Sequence, residues 1–129
     1  RCAQINAQLN RLEDAIEVRQ GDLFAPVMGE RFDLVAFNPP FYRGRPQGPL
    51  DHAWRGEEVF ERFTAGLAGQ LTPTGQALLV LSSDGDGEAL LAGLRKAGFL
   101  CEAVRQRDLY NEILTAYRVS PPRGGPAAP

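Results

Sequence analysis

A short apolar run that ends in asparagine and two prolines constrains this 129-residue chain more than any other segment. Phe32 and residues 34–37 form an apolar run that includes aromatic and β-branched side chains, a composition typical of a strand buried on both faces of a parallel sheet. Each proline disfavours the helical conformation of the residue before it, so Asn38 and Pro39 are held extended. Because Pro39 and Pro40 have no backbone N–H, the Asn38 and Pro39 carbonyls stay free as acceptors beside the Asn38 side-chain oxygen. These oxygens suit a planar NH2 group.

The segment from Asp33 to Tyr42 resembles the Asn-Pro-Pro-aromatic motif of class I S-adenosylmethionine-dependent methyltransferases that methylate planar nitrogens. The resemblance implies catalytic roles for Asn38, Pro39, Pro40 and Phe41. The Asn38 side chain and the Pro39 carbonyl would accept hydrogen bonds from the target amine, and Phe41 would stack on its plane. Holding the amine in place can lower the barrier by roughly 7–11 kcal/mol. The alternative is that Asn-Pro-Pro only terminates a strand, but the strand before it and the aromatic residue after it favour the functional interpretation.

A second part of the resemblance lies upstream, where a predicted helix with apolar residues at Cys2, Ile5, Leu9 and Leu12 is followed by a predicted strand at residues 15–19 and a Gly-Asp pair. A Gly-Asp pair by itself is an ordinary turn.

In the family, the aspartate after this strand binds the adenine amine of S-adenosylmethionine, and its neighbour lines the adenine pocket. The resemblance therefore implies S-adenosyl-L-methionine as the cofactor, with Asp22, Leu23 and Asn38 as cofactor-binding residues.

Further helices and strands alternate after the motif, which predicts an α/β fold. The pattern predicts helices at residues 57–71 and 90–97, a turn at 72–75, a buried strand at 77–81, and an antiparallel pair at 99–105 and 112–119. The resemblance implies an N-terminally truncated, Rossmann-like methyltransferase sheet, mostly parallel with an antiparallel last strand pair. Residues 1–120 would be the C-terminal portion of a methyltransferase domain, and 121–129 a disordered Pro/Gly/Ala-rich tail.

The first strands of the family's sheet, its Gly-rich cofactor loop and its ribose-binding acid would precede Arg1. Two absent strands would then lie between residues 15–19 and 33–37. We expect the strands at residues 15–19 and 33–37 to pair with each other in a smaller sheet, because an apolar strand cannot leave its backbone groups unpaired. Self-association of copies through the truncated sheet, or detachment of the N-terminal helix and strand, are the alternatives.

Residues 1–129 alone are expected to be inactive and to bind S-adenosylmethionine very weakly or not at all, because the floor of the cofactor pocket would be missing. Calorimetry on this fragment tests the expectation. Clear micromolar binding would show that the cofactor site has been misplaced.

The methyl acceptor is constrained less tightly than the reaction. The net charge of −2 gives no bulk attraction to nucleic acid, and residues 51–56 resemble the Ala-Trp loop of the release-factor branch of the family, so a protein glutamine side chain is favoured. An exocyclic amine of RNA or DNA remains an alternative, as does a non-catalytic binding module derived from the fold. Arg43, Arg45, His52 and Trp54 are open candidates for substrate contact. Solvation is the favoured explanation of the arginines and an incidental position that of the histidine, and a packing role explains the tryptophan equally well.

Metal and membrane functions have little support in the sequence. Cys2 and Cys101 are the only cysteines and His52 the only histidine, so a closed Cys/His zinc site is not expected. No signal peptide and no run of eighteen apolar residues is present, which predicts a cytoplasmic protein without a membrane partner.

Overall fold

A computed structural model describes residues 1–40, 42–43, 47–48, 55–56 and 58–122, without the side chains of 42–43 and 55–56. The elements in chain order are α1 (Cys2–Leu9), a 3-10 turn (Ala25–Val27), β1 (Phe32–Phe37), β2 (Tyr42–Arg43), β3 (Arg55–Gly56), α2 (Val59–Gln70), β4 (Leu71–Ser82), α3 (Gly87–Lys96), β5 (Leu100–Asp108) and β6 (Ile113–Ser120). The tail from residue 123 lies outside the described residues.

A four-stranded sheet in the order β1-β4-β6-β5 forms the centre of the fold. Strands β1 and β4 are parallel, with Val35 beside Ala77 and Phe37 beside Leu79. Strand β6 runs antiparallel to both β4 and β5. The α/β fold and the closing antiparallel pair are thus confirmed.

Helices α2 and α3 contribute the core on one face of this sheet. In α2 the buried positions Phe60, Phe63 and Leu67 recur at helical spacing, and α3 repeats the pattern with Leu90, Leu91 and Leu94. The buried apolar cluster consists of Phe60, Phe63, Leu67, Leu71, Ala77, Leu79, Leu81, Leu90, Leu91, Leu94, Phe99 and Val119.

The opposite face of the sheet is open, which corrects the prediction of strands buried on both faces. From Gly75 to Leu81, β4 alternates buried and exposed residues, and Leu78 and Val80 remain 37% and 36% exposed. In β1, Leu34 is 56% exposed. The apolar runs in these strands do not alternate with polar residues in the sequence, which is why burial of both faces was predicted. Within the described chain, however, the core cluster covers only one face of these strands.

The predicted strand at residues 15–19 does not form, so its expected pairing with residues 33–37 is wrong. Strand β1 instead pairs with β4 and lies at the edge of the sheet. Residues 16–20 are irregular, and Arg19 holds them by bonding Glu17 at 2.7 Å and Glu30. The Arg19 guanidinium lowers the pKa of the Glu17 carboxyl. The physical reason is that a strand this short is not stable without neighbouring strands.

The predicted turn at residues 72–75 is also wrong, because these residues lie within β4. Thr72 Oγ1 donates to Asp33 Oδ1 at 2.8 Å, and Arg31 Nη1 donates to the Leu71 carbonyl at 2.9 Å. These bonds hold the start of β4 beside β1, and the Thr-Pro-Thr-Gly sequence is accommodated by a register irregularity between the two strands.

The helix ends follow the sequence more closely. Helix α2 begins after Glu58, which precedes the first turn as a left-handed N-cap with φ of 57°. Helix α3 stops at the predicted glycine: Gly98 has φ of 96° and donates to the Arg95 carbonyl, while Phe99 donates to the Leu94 carbonyl. None of the helices in the described ranges has the length and apolarity needed to cross a bilayer.

Candidate functional site

The Asn-Pro-Pro motif lies directly after β1, at the carboxyl end of the one parallel strand pair in the four-stranded sheet. Asn38 is exposed, Pro39 is buried and Pro40 is half-buried. Within the described part of the chain, no hydrogen bond engages the Asn38 side-chain amide. The carboxyl ends of parallel strands are the usual place for a ligand crevice in α/β sheets. The exposed Asn38 amide therefore lies next to a buried, stiff backbone segment at the carboxyl end of the parallel strands.

Three stacked phenylalanines support this motif from inside. The rings of Phe37 and Phe63 are 4.4 Å apart at 21°, and those of Phe24 and Phe63 are 5.3 Å apart at 26°. Phe37 immediately precedes Asn38, and Phe24 follows the predicted cofactor residues Asp22 and Leu23. The buried ring of Phe63 in α2 thus links the two halves of the predicted site.

The Asp22–Leu23 turn lies against the start of α2. The Oδ2 atom of Asp22 is 2.6 Å from Nη2 of Arg62, and both side chains are about half exposed or more, at 66% and 48%. An ion pair so exposed contributes only about 0–1 kcal/mol, so another donor can replace Arg62 at little cost. Leu23 is half-buried with a left-handed φ of 48°. Sequence reasoning missed Arg62, because no local pattern connects it to Asp22.

The two ends of the segment that follows the motif pair with each other. Tyr42–Arg43 pairs in parallel with Arg55–Gly56. The predicted acceptor-stacking residue Phe41 lies outside the described residues. So do Arg45, His52 and Trp54, and the side chain of Arg43.

The turn between β5 and β6 is fastened to the carboxyl end of β4, at the same edge of the sheet as Asn38. The Ser83 N–H donates to the Ile113 carbonyl at 2.9 Å, and the Ile113 N–H donates to Ser83 Oγ at 2.8 Å. The Ser82 hydroxyl donates to the Glu112 carboxylate. A cavity of about 200 Å³ lies beside these residues. The sequence predicted only the strand at residues 77–81 and the helix at 90–97 on either side of Ser82 and Ser83.

A groove lies apart from this edge of the sheet. This groove of about 890 Å³ runs between α1 and residues 13–18. In the described ranges no group of three or more Cys, His, Asp and Glu side chains is arranged to hold a metal ion.

Comparison with protein families matches residues 1–111 to the methyltransferase small domain. The release factor glutamine methyltransferase of Moorella thermoacetica is 31% identical over 108 residues, covering 74% of this chain and 38% of that protein. The ribosomal protein uL3 glutamine methyltransferase of Bradyrhizobium diazoefficiens is 26% identical over 113 residues, covering 78% of this chain and 28% of that protein. The chain therefore spans well under half the length of these curated relatives.

Two solved structures share the fold at low identity. The ribosomal protein L11 methylase of Lactobacillus delbrueckii subsp. bulgaricus aligns with a TM-score of 0.63 and 20% identity, over 94% of this chain and 51% of that one. The Mtq2-Trm112 complex of E. cuniculi, responsible for methylation of the eRF1 translation termination factor, aligns with a TM-score of 0.58 and 19% identity, over 91% of this chain and 68% of that one.

Proposed function

Because this chain belongs to the methyltransferase small domain family, we propose that it forms the acceptor-binding part of an S-adenosylmethionine-dependent N-methyltransferase. The proposed acceptor is the side-chain amide of a protein glutamine. One observation carries the proposal: the exposed Asn38 amide stands on a buried, proline-stiffened backbone at the carboxyl end of a parallel strand. The names of the relatives, which are release factor and ribosomal protein glutamine methyltransferases, support glutamine as the acceptor class.

The role of Asn38 follows from the chemistry of an amide. The lone pair of an amide nitrogen is delocalised, so the nitrogen is a poor nucleophile. The Asn38 side-chain oxygen and the Pro39 carbonyl accept hydrogen bonds from its two hydrogens and favour a pyramidal nitrogen with a localised lone pair. Since Pro40 has no N–H and Pro39 is buried, this backbone acceptor is held in place before the substrate arrives. The nitrogen would take the sulfonium methyl group as the S–CH3 bond breaks, which leaves that electron pair on a thioether sulfur, and it would lose one of its protons to solvent.

The cofactor side of the site is proposed at Asp22 and Leu23. S-adenosylmethionine supplies the electrophilic methyl group when bound. An exposed carboxylate in a weak ion pair fits an exocyclic adenine amine, and the half-buried Leu23 side chain beside it fits an apolar ring. The stacked rings of Phe24, Phe63 and Phe37 keep this turn and the Asn38 segment in a fixed relation.

The direct test uses the protein expressed from its complete reading frame, with S-adenosylmethionine that carries a labelled methyl group. The acceptors are the release factors, the ribosomal proteins and total RNA of the same organism, each purified from cells that lack this gene. We expect label in a protein, and on a glutamine side chain when that protein is mapped by mass spectrometry. Label in RNA without label in protein would contradict the proposed acceptor.

Replacing Asp22 with alanine is expected to weaken cofactor binding by about 1–3 kcal/mol, the usual loss for one polar partner. Calorimetric titration with S-adenosylmethionine measures the change. The matched control is Arg62→Ala, which removes the ion pair but leaves the carboxylate available. If the two variants lose affinity equally, Asp22 acts through the ion pair and does not itself contact the cofactor.

A further inference from the structure

The turn between β5 and β6 holds a tyrosine in an unusual backbone conformation. Tyr110 has φ of 73°, and the N–H of Asn111 donates to the carbonyl of Leu109 at 2.8 Å, so Tyr110 is the central residue of a γ-turn with positive φ. This form is rare and strained, and positive φ favours glycine. Tyr110 is 100% exposed, so no packing within the described residues compensates for the strain. Strained positions of this kind concentrate at functional sites.

Several bonds keep this tyrosine in place. The Tyr110 N–H donates to Asp108 Oδ1 at 3.0 Å, and the Leu109 N–H donates to the Glu112 carbonyl at 2.8 Å. The bond that Ser82 donates to Glu112 and the bond that Ser83 Oγ accepts from Ile113 attach the same turn to the end of β4. The exposed ring is therefore presented on a rigid base, as is typical of an aromatic binding anchor.

The position of the turn relates it to Asn38. Both lie at the carboxyl edge of the parallel pair, and β6 and β5 are the second and third strands away from β1. Neighbouring strands are about 4.8 Å apart, so the turn lies about 10–15 Å to the side of Asn38. An extended polypeptide advances about 3.3 Å per residue and covers this distance in three to five residues.

The charge around the turn selects the class of partner. Within residues 82–86 and 107–113 there are four carboxylates, at Asp84, Asp86, Asp108 and Glu112, and the single arginine Arg107. This excess of negative charge repels a phosphate backbone and attracts a basic polypeptide.

We infer that Tyr110 is a docking residue for the polypeptide acceptor. It contacts the acceptor a few residues away from the methylated side chain, beside basic residues of the acceptor. The inference rests on the proposed function for the identity of the acceptor. It concerns recognition only, since Tyr110 lies too far to the side of Asn38 to touch the reacting amide.

The test is Tyr110→Gly in the protein expressed from its complete reading frame. Glycine removes the ring and relieves the backbone strain, so the melting temperature should stay equal or rise. Binding of the unmethylated release factor is measured by calorimetry, together with KM and kcat for label transfer. We expect the Kd and KM for the release factor to rise about tenfold with kcat unchanged, since truncating an aromatic anchor residue typically weakens binding by this much. Leu100→Ala is the matched control, because Leu100 is an exposed apolar residue at the end of β5 opposite the turn. This variant should leave both the Kd and the KM for the release factor unchanged.

A five-residue peptide centred on the methylated glutamine separates docking from general damage. It ends short of the turn, so its KM should be the same for wild type and Tyr110→Gly. An unchanged Kd for the release factor, or a loss of RNA binding in its place, would overturn the docking role. A tenfold loss of release-factor binding would support the docking role even if the wild type transferred no methyl group, in which case the proposed function alone would fail.

Discussion

Replacing Asn38 with alanine is expected to lower turnover about one hundredfold or more in the protein expressed from its complete reading frame, with little change in cofactor affinity. The Asn38 oxygen acts on the amide nitrogen mainly in the transition state. Removing one oriented polar group of this kind elsewhere costs roughly 2.7–4 kcal/mol. Label transfer under single-turnover conditions measures the rate, and calorimetry measures the cofactor affinity.

Two further variants sharpen this result. Asn38→Asp keeps an oxygen acceptor and should retain more turnover than Asn38→Ala. Asn10→Ala, at an exposed asparagine beyond the end of α1, should behave as wild type. Turnover like that of wild type in Asn38→Ala would remove the basis of the acceptor assignment.

Replacing Phe63 with alanine is expected to destabilise the fold by about 3–5 kcal/mol, the range for deleting a buried phenylalanine side chain. Phe63 is 1% exposed and stacks on both Phe24 and Phe37, so the cavity would open under the two candidate site segments at once. The loss is a large fraction of the 5–15 kcal/mol that stabilises a typical domain.

Urea denaturation followed by circular dichroism gives the free energy of unfolding for Phe63→Ala and for Phe63→Leu. Leucine fills part of the same volume, so its loss should be clearly smaller. A loss below about 1 kcal/mol for alanine would mean that the three rings do not form a common support.

The sequence predicted those parts of the fold that local chemistry determines. The position of β1 and its end at Asn38 follow from an apolar run and two prolines, and the end of α3 follows from Gly98. The α/β alternation predicted the fold class, which is confirmed, but the parallel partner of β1 was predicted at residues 15–19 and is β4. The roles of Asn38, Asp22 and Leu23 stay predictions.

The errors arose where tertiary context decides the outcome. Ile16 and Val18 have strand-forming side chains, but within the described residues no strand pairs with this segment and Ile16 is 46% exposed. Likewise, the apolar run in β1 cannot reveal that one of its faces stays open. Thr72 to Gly75 have the composition of a turn, yet the bonds from Thr72 to Asp33 and from Arg31 to the Leu71 carbonyl hold the start of β4 beside β1.

The parts of the candidate site that the sequence did not indicate depend on contacts between distant segments. The bond between Ser82 and Glu112, and the ion pair between Asp22 and Arg62, join residues that share no local pattern. The strained turn at Tyr110 was hidden for the opposite reason, because the sequence shows a tyrosine where a positive φ would call for glycine.

The way β1 is joined to the sheet bears on the order in which the site assembles. Strands β5 and β6 are consecutive and connected by a tight turn, so their pairing closes only a short loop. The pairing of β1 with β4 must enclose the acceptor loop and the whole of α2, which carries a larger loop-closure entropy. The strand that bears Asn38 is therefore expected to join the sheet last and to separate from it first. Opening of the acceptor edge would then be a local event that also separates the Phe37 ring from Phe63 and costs less than global unfolding.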